Sequence, residues 1–219
     1  MDDFVEEALG QSWAGKTLHS FPVPRHFLNF FTTEKLWSGS VNVDLERVKG
    51  TLHPDYVGMS WGEFLQKGKR MGPNLSMLEA NPGYYLSKGH KEPTMSYVVH
   101  DGDYWVYTDG NHRTCIGRFY LDLMGRETVL SGVETWEVKL DLEAYGKWCQ
   151  AGGIHGLLGI ESEIVARDDG PGWMKEKFGL KYFIHGKQVE RREFLEFDET
   201  VKSSWWRFFR TLFRRANTV

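Results

Sequence analysis

The stretch between residues 94 and 109 constrains the fold more than any other part of the sequence. Its two halves, 94–100 (TMSYVVH) and 103–109 (DYWVYTD), are rich in the β-branched and aromatic residues that favour strands. Between them lies Asp101-Gly102, a dipeptide typical of tight hairpin turns. The sequence therefore predicts an antiparallel strand pair here.

A helix is predicted directly after this hairpin. Residues 112–124 (HRTCIGRFYLDLM) carry an apolar stripe at helical spacing, and Gly125 ends the pattern. Residues 133–141 (VETWEVKLD) alternate and indicate another strand. The order strand, strand, helix, strand predicts an α+β body with a mixed sheet flanked by helices. The stripe consists of Cys115, Ile116, Phe119 and Leu123.

Weaker patterns surround this centre. Further helices are predicted at 2–9, at 59–71 with Ser60 as the N-cap, at 142–150 and at 199–216. A strand is predicted at 41–48, a turn or extended loop at 80–86, and a second hairpin within 180–194 around His185-Gly186.

The charge of the chain is unevenly distributed. The 219 residues carry a formal charge of -3, and 41% of them are hydrophobic, enough for a packed core. From Thr200 onward there are five basic residues and no acidic one, so 22 basic and 30 acidic residues leave the first 199 positions at -8. A basic tail on an acidic body suggests contact with nucleic acid, anionic lipid or an acidic partner.

Several protein classes are disfavoured by composition. Two cysteines, Cys115 and Cys149, argue against a disulfide framework or a four-thiolate zinc site. The acidic N-terminus is unlike a secretory signal, and no apolar run approaches the roughly 18 residues of a membrane span. We expect a cytoplasmic protein.

The corner after the hairpin is the strongest candidate site. Asp109-Gly110 lets the chain reverse sharply, and Asn111 is suited to cap the following helix. The first helical turn leaves N–H groups unpaired, and His112 and Arg113 add polar donors, so the corner is suited to an anion. The alternative is ordinary turn chemistry with solvated side chains.

Acidic residues near the hairpin raise the question of a metal. Asp101, Asp103 and Asp109 are candidate Mg²⁺ ligands, against the alternative that the first two are turn and solvated residues. Glu63, on the preceding helix, is a more distant candidate base.

The spacing of His112 and Cys115, three residues apart, would suit a shared metal, but a core cysteine is the simpler interpretation.

Residues 104–121 (YWVYTDGNHRTCIGRFYL) resemble the signature of the ParB/sulfiredoxin-like superfamily, in which a strand ends in Asp-Gly-(Asn/His)-His-Arg and opens a helix. The resemblance covers residues 38–141, leaving an N-terminal extension (1–37) and a helical and hairpin C-terminal extension (142–219) packed on the body. It implies a pocket for ATP or CTP, with Mg²⁺ as a possible companion. Its implied nucleotide-binding residues are Gly110, Asn111, His112, Arg113 and Thr114. From the chemistry of the corner, we expect Arg113 to stabilise charge on the phosphoryl oxygens and His112 or Asp109 to position or activate water, so the candidate catalytic residues are Asp109, His112 and Arg113.

Two departures narrow the resemblance within the superfamily. Sulfiredoxins carry their nucleophilic cysteine where this chain has Asn111, and partition proteins follow the motif with a helix-turn-helix module that is not evident after residue 141. The ParB-like nuclease branch remains, and within it the small plasmid-borne fertility-inhibition proteins. This implies nucleotide hydrolysis and DNA cleavage that block conjugative transfer through a type IV secretion system. The alternative is a non-enzymatic nucleotide sensor or a DNA- or partner-binding protein of the partition type.

The tail forms an amphipathic pattern with tryptophans on its apolar side and arginines opposite. Such a helix would dock on the body, lie on an anionic membrane surface, or follow DNA phosphates. If the protein is a cytoplasmic inhibitor of a secretion system, such a helix would place it at the surface of the inner membrane or in contact with a component of that system. The arginines are Arg207, Arg210, Arg214 and Arg215.

Overall fold

The computed structural model describes residues 2–198, which form an α+β fold built on one mixed sheet of nine strands flanked by helices. The strands are β1 (His19–Ser20), β2 (Thr32–Asp44), β3 (Val48–Thr51), β4 (Ser96–His100), β5 (Asp103–Val106), β6 (Val129–Leu140), β7 (Leu158–Gly170), β8 (Trp173–Ile184) and β9 (Lys187–Val189). The helices are α1 (Asp2–Leu9), α2 (Leu28–Phe31), α3 (Trp61–Lys67), α4 (Met71–Ala80), α5 (Gly83–Leu86), α6 (Asn111–Leu123), α7 (Leu142–Gln150) and α8 (Arg191–Glu196).

The strand order is β1-β3-β5-β4-β6-β2-β8-β7, with β9 pairing β8 outside this path. The pairs β1/β3, β3/β5 and β4/β6 are parallel, and the other pairs are antiparallel. The hairpin strands β4 and β5 therefore lie inside the sheet. Because β5 is hydrogen-bonded to β3 on one side and to β4 on the other, the corner that follows β5 is held on both sides.

The predicted central hairpin is confirmed. Val98 pairs with Trp105 and His100 with Asp103, and the turn between them has positive φ at Asp101 (50°) and Gly102 (79°). Two successive positive φ values match the twist of paired strands.

Two hydrophobic clusters pack on opposite faces of the sheet. Tyr97 belongs to the first cluster and the adjacent Val98 to the second, as expected when side chains alternate along a strand. The first cluster takes in α1, α3, α4 and α6, and the buried face of α6 includes Cys115, Ile116 and Phe119 of the predicted stripe. Leu123 is only partly buried.

The predicted boundary between residues 37 and 38 falls inside β2, so it does not separate two domains. Residues before it belong to the body, because Ala8 and Leu18 lie in the first cluster and β1 pairs with β3. Residues 142–198 pack on the body and also extend the sheet through β8 and β2.

Asp141 connects this C-terminal segment to the body. Its carboxylate accepts hydrogen bonds from Arg191 at 2.7 and 2.8 Å, from the hydroxyl of Tyr182 at 2.8 Å and from the amide of Ala144 at 3.0 Å. Burial alone would raise the pKa of Asp141, but these donors lower it overall. The carboxylate therefore caps α7 and holds α8 and β8 together.

Other local predictions have mixed outcomes. Ser60 caps α3 as predicted, in a reciprocal capping box with Glu63, and the turn at His185-Gly186 joins β8 to β9. The strand predicted at 41–48 ends at Asp44, where a 3-10 turn begins, and the loop predicted at 80–86 contains α5.

Within residues 2–198, no helix is long and apolar enough to cross a membrane. The predicted tail helix at 199–216, with its four arginines, lies outside the described residues.

Candidate functional site

The candidate site begins where β5 leads into α6. Gly110 has a φ of 104°, which side chains rarely adopt, and a Cβ there would lie 3.1 Å from Met95. Gly110 is the N-cap of α6, so the prediction that Asn111 caps the helix is wrong. Asn111 is instead the first helical residue, and its Oδ1 accepts a 2.6 Å hydrogen bond from the hydroxyl of Thr51.

The first turn of α6 presents free backbone donors. The Thr114 amide bonds the carbonyl of Gly110 at 2.7 Å, whereas the amides of Asn111, His112 and Arg113 have no acceptor among the described residues. These amides carry the partial positive charge of a helix N-terminus. The corner therefore offers three convergent N–H groups to an anion.

These donors open into a cavity of about 380 Å³, here called the cup. Residues 109–113 line it together with Arg70, which is the N-cap of α4, Asn74 and Met77 of α4, and Tyr84 of α5. The cup thus combines cationic and amide groups with an apolar wall. Its size lies at the lower end of the range for small-molecule sites.

Arg113 is held at the cup by three partners. Its Nη2 lies 2.8 Å from Oδ2 of Asp109, and its Nη1 donates to the carbonyl of Pro93 at 2.8 Å and to the hydroxyl of Tyr84 at 3.3 Å. The side chain is only 11% exposed. Burial would lower the pKa of Arg113, but Asp109 and Tyr84 raise it overall, so the guanidinium is a fixed positive charge.

A buried lysine supports this arrangement and was not identified from the sequence. The Nζ of Lys91 donates to the carbonyl of Tyr84 at 2.6 Å and to the carbonyl and hydroxyl of Ser87 at 2.7 and 2.9 Å. It fixes the end of α5 and with it the Tyr84 ring beside Arg113. No local signal marks Lys91, because a lone lysine in a polar stretch is usually solvated.

His112 already contacts two polar groups of the body. Its Nε2 accepts the backbone amide of Arg70 at 3.3 Å and lies 3.5 Å from the hydroxyl of Tyr56. Burial, then the charge of Arg70, lowers the pKa of His112. The proton of the neutral ring therefore resides on Nδ1, and the ring is better suited to donate a hydrogen bond than to remove a proton.

Asp109 is the better placed of the two candidate bases. Its Oδ1 accepts the amide of Gly110 at 2.7 Å, its Oδ2 meets Arg113, and 59% of the side chain remains exposed. Carboxylate oxygens accept more than one hydrogen bond each, so Asp109 retains the capacity to orient a water molecule in the cup.

Thr114 does not line the cup. Its side chain is fully buried, and its hydroxyl lies 2.8 Å from that of Tyr97 in the core. The expectation that Thr114 supplies a further phosphate donor is wrong, because the helix turns this side chain away from the corner and toward the sheet.

The acidic residues near the hairpin do not converge. Asp101 pairs with His100 at 3.5 Å and Asp103 with Lys49 at 3.6 Å. Across residues 2–198, no group of three or more His, Cys, Asp or Glu side chains is arranged to hold a metal ion.

Two weaker candidates have structural roles. Glu63 closes the capping box of α3 and pairs with Lys67 at 3.6 Å, away from the cup. Cys115 is buried, and its Sγ contacts the carbonyl of Trp61 at 3.6 Å rather than sharing a ligand with His112.

Comparison of the chain with protein-family models, with curated proteins and with solved structures finds no match.

Proposed function

We propose that the chain binds a nucleoside triphosphate, ATP or CTP, through its phosphates in the cup and hydrolyses it while acting on DNA. The observation that carries the proposal is that the three free amides at the start of α6 and the anchored guanidinium of Arg113 line the same cavity. Helix N-termini bind phosphate through such amides, and arginine adds a forked, permanent donor.

The part of the cup lining that comes from residues 74–84 suits the nucleoside part of this ligand. Met77 and Tyr84 offer apolar and aromatic surface, and Asn74 and Asn81 bring side-chain amides into the lining. An amide donates and accepts hydrogen bonds in the way the edge of a nucleobase requires. The phosphates then lie at the corner and the base toward α4.

In the proposed reaction, Asp109 orients the attacking water, and Arg113 with the amides of residues 111–113 stabilises charge that develops on the phosphoryl oxygens. His112 contributes its Nδ1 proton as a donor. A metal ion in this reaction would arrive on the nucleotide, since Mg²⁺ is commonly held by substrate phosphates and only one or two carboxylates.

The biological setting is proposed from the resemblance of residues 104–121 to ParB-like nucleases. In this proposal, the protein is a fertility-inhibition factor that cleaves DNA and so blocks conjugative transfer through a type IV secretion system. A mating assay tests this: expression in a donor cell lowers plasmid transfer, and the Arg113→Gln protein does not.

A second candidate function is nucleotide sensing without hydrolysis. The hydrogen bond from the Arg70 amide to Nε2 of His112 favours it, because it removes His112 as a base and leaves that role to Asp109, whose Oδ2 already pairs with Arg113. The two functions differ in a simple way. A sensor binds nucleotide saturably but releases no phosphate.

The decisive assay incubates the full chain with ATP or CTP, Mg²⁺ or Mn²⁺, and single- or double-stranded DNA, and measures phosphate release and nicking together. The hydrolase proposal predicts phosphate release that is lost in Asp109→Asn and Arg113→Gln. Saturable binding without release in the parent protein would leave only the sensor.

A further inference from the structure

A second, larger groove lies beside the cup. It encloses about 1060 Å³, and Thr51 and Thr108 form the part of its lining closest to the corner. Thr51 donates its hydroxyl hydrogen to Asn111 at 2.6 Å, and Thr108 precedes Asp109, so the groove and the cup meet across these residues. We call this second cavity the Arg25 groove.

The Arg25 groove is free of acidic side chains. None of the described residues that line it is Asp or Glu, although the first 199 residues carry a charge of -8. Its permanent cation is Arg25, whose guanidinium has no carboxylate partner among the described residues. A negatively charged ligand meets less repulsion here than over the rest of this acidic body.

Flat ring surfaces line the same groove. The guanidinium of Arg25 lies 5.5 Å from the centroid of the Tyr107 ring, within the range of a cation–π contact. Tyr107 and Tyr145 are half-buried and so expose part of their surface, and His26 and His53 are exposed. Such rings are platforms on which nucleobases stack.

We propose that the Arg25 groove binds single-stranded nucleic acid. Its bases stack on Tyr107 and neighbouring rings, and Arg25 contacts its backbone phosphate. Bound this way, a strand continues toward Asp109 and Asn111 at the edge of the cup. Processing of the strand at the cup rests on the proposed function. Binding of the strand to the groove does not depend on it.

A single strand fits these observations better than a duplex. Duplex binding relies on many phosphate contacts, and the groove supplies one permanent cation on an acidic body. A duplex also hides the faces of its bases, whereas an unpaired strand offers every base for stacking. Because stacking provides most of the affinity, we expect the binding constant to depend only weakly on salt. For one or two phosphate contacts, a plot of log K against the logarithm of the salt concentration should have a slope of about -1.

The test uses the full chain and a fluorescein-labelled oligothymidylate of about twelve nucleotides, within the footprint of known single-strand binders. Fluorescence anisotropy is measured without nucleotide or divalent metal. We expect saturable binding that is weakened about tenfold to a hundredfold by Tyr107→Leu, as for one lost base stack, and restored by Tyr107→Phe. Arg25→Gln, a change on the surface, weakens binding without altering thermal unfolding.

The matched control is Arg126→Gln, which removes one exposed arginine outside the groove and should leave binding unchanged. The inference is overturned if the parent protein does not bind, if a duplex of equal length binds as tightly, or if Arg25→Gln has no effect. It is also overturned if binding is lost only when the four tail arginines, Arg207, Arg210, Arg214 and Arg215, are replaced by glutamine.

Failure of this inference is distinguishable from failure of the proposed function. Arg113→Gln should weaken ATP and CTP binding but leave oligothymidylate binding intact, and Arg25→Gln should do the reverse. A parent protein that binds the strand but no nucleotide would remove the proposed function alone. A parent protein that binds nucleotide but no strand would contradict only the inference about the groove.

Discussion

Nη2 of Arg113 lies 2.8 Å from Oδ2 of Asp109, the residue one helical turn before it. This pair spans the corner between β5 and α6, because Asp109 precedes the N-cap and Arg113 closes the first turn. The ion pair orients the guanidinium, while the amides of residues 111–113 have no acceptor among the described residues. A corner built this way is preorganised for an anion, and the proposed function depends on it.

Replacing Arg113 tests the charge at this corner. We expect Arg113→Gln to reduce nucleotide turnover on the order of a hundredfold or more, because a group that stabilises charge in the transition state is removed. Steady-state phosphate release measures the effect. Arg126→Gln, an exposed change beyond the other end of α6, should retain normal turnover, and equal rates for all three proteins would exclude a role for Arg113.

Replacing Gly110 tests the backbone of the corner. Gly110→Ala should lower the free energy of unfolding by about 1–3 kcal/mol, because alanine is strained at a φ of 104° and its Cβ crowds Met95. Chemical denaturation provides the measurement. Gly146→Ala, inside α7 with open space around the added Cβ, is the matched control and should be neutral or stabilising.

Replacing Lys91 should lower the free energy of unfolding more than replacing its neighbour Lys88. Lys91→Met removes three hydrogen bonds made by a buried ammonium group, two of them to the carbonyls of Tyr84 and Ser87, and hydrogen bonds to a charged group contribute about 1.5–3 kcal/mol each. Urea unfolding should show this loss, and nucleotide affinity should fall because Tyr84 is no longer held beside Arg113. Lys88→Met changes an exposed lysine, and an equal loss there would contradict the role of Lys91.

The burial of His112 predicts a pH dependence of stability. Its pKa is lowered in the folded state, so below the ordinary value of about 6.5 the unfolded chain binds the proton more readily. The contribution of His112 to the free energy of unfolding is therefore fully present above about pH 6.5 and is lost as the pH falls below that value. Between about pH 7 and pH 5, the parent protein should lose stability more steeply than His112→Gln, and parallel pH profiles would contradict this.

The sequence predicted the parts of the fold that depend on local signals. The hairpin at Asp101-Gly102, the helix after Gly110 and the cap at Ser60 follow from turn chemistry and residue spacing, and all three are present. The long strand β7 was missed, because Glu161, Glu163 and Arg167 obscure its pattern where it is exposed at the sheet edge.

The site was predictable only where it lies within one continuous stretch. Residues 109–113 do meet at the cup, but Tyr84 lines it and Lys91 supports Tyr84 through tertiary contacts that no local pattern encodes. Thr114 was misplaced because the buried face of α6 is wider than the predicted stripe and includes it. The burial of Arg118 was not predicted for the same reason. Its side chain lies in the core, with the guanidinium 4.1 Å from the ring of Trp13.

The most direct test of the account is a crystal structure of the full chain with a non-hydrolysable analogue of ATP or CTP. We expect phosphate oxygens within about 2.7–3.2 Å of the amides of residues 111–113 and of the Arg113 guanidinium. A ligand bound elsewhere, with the first turn of α6 unoccupied, would contradict the account.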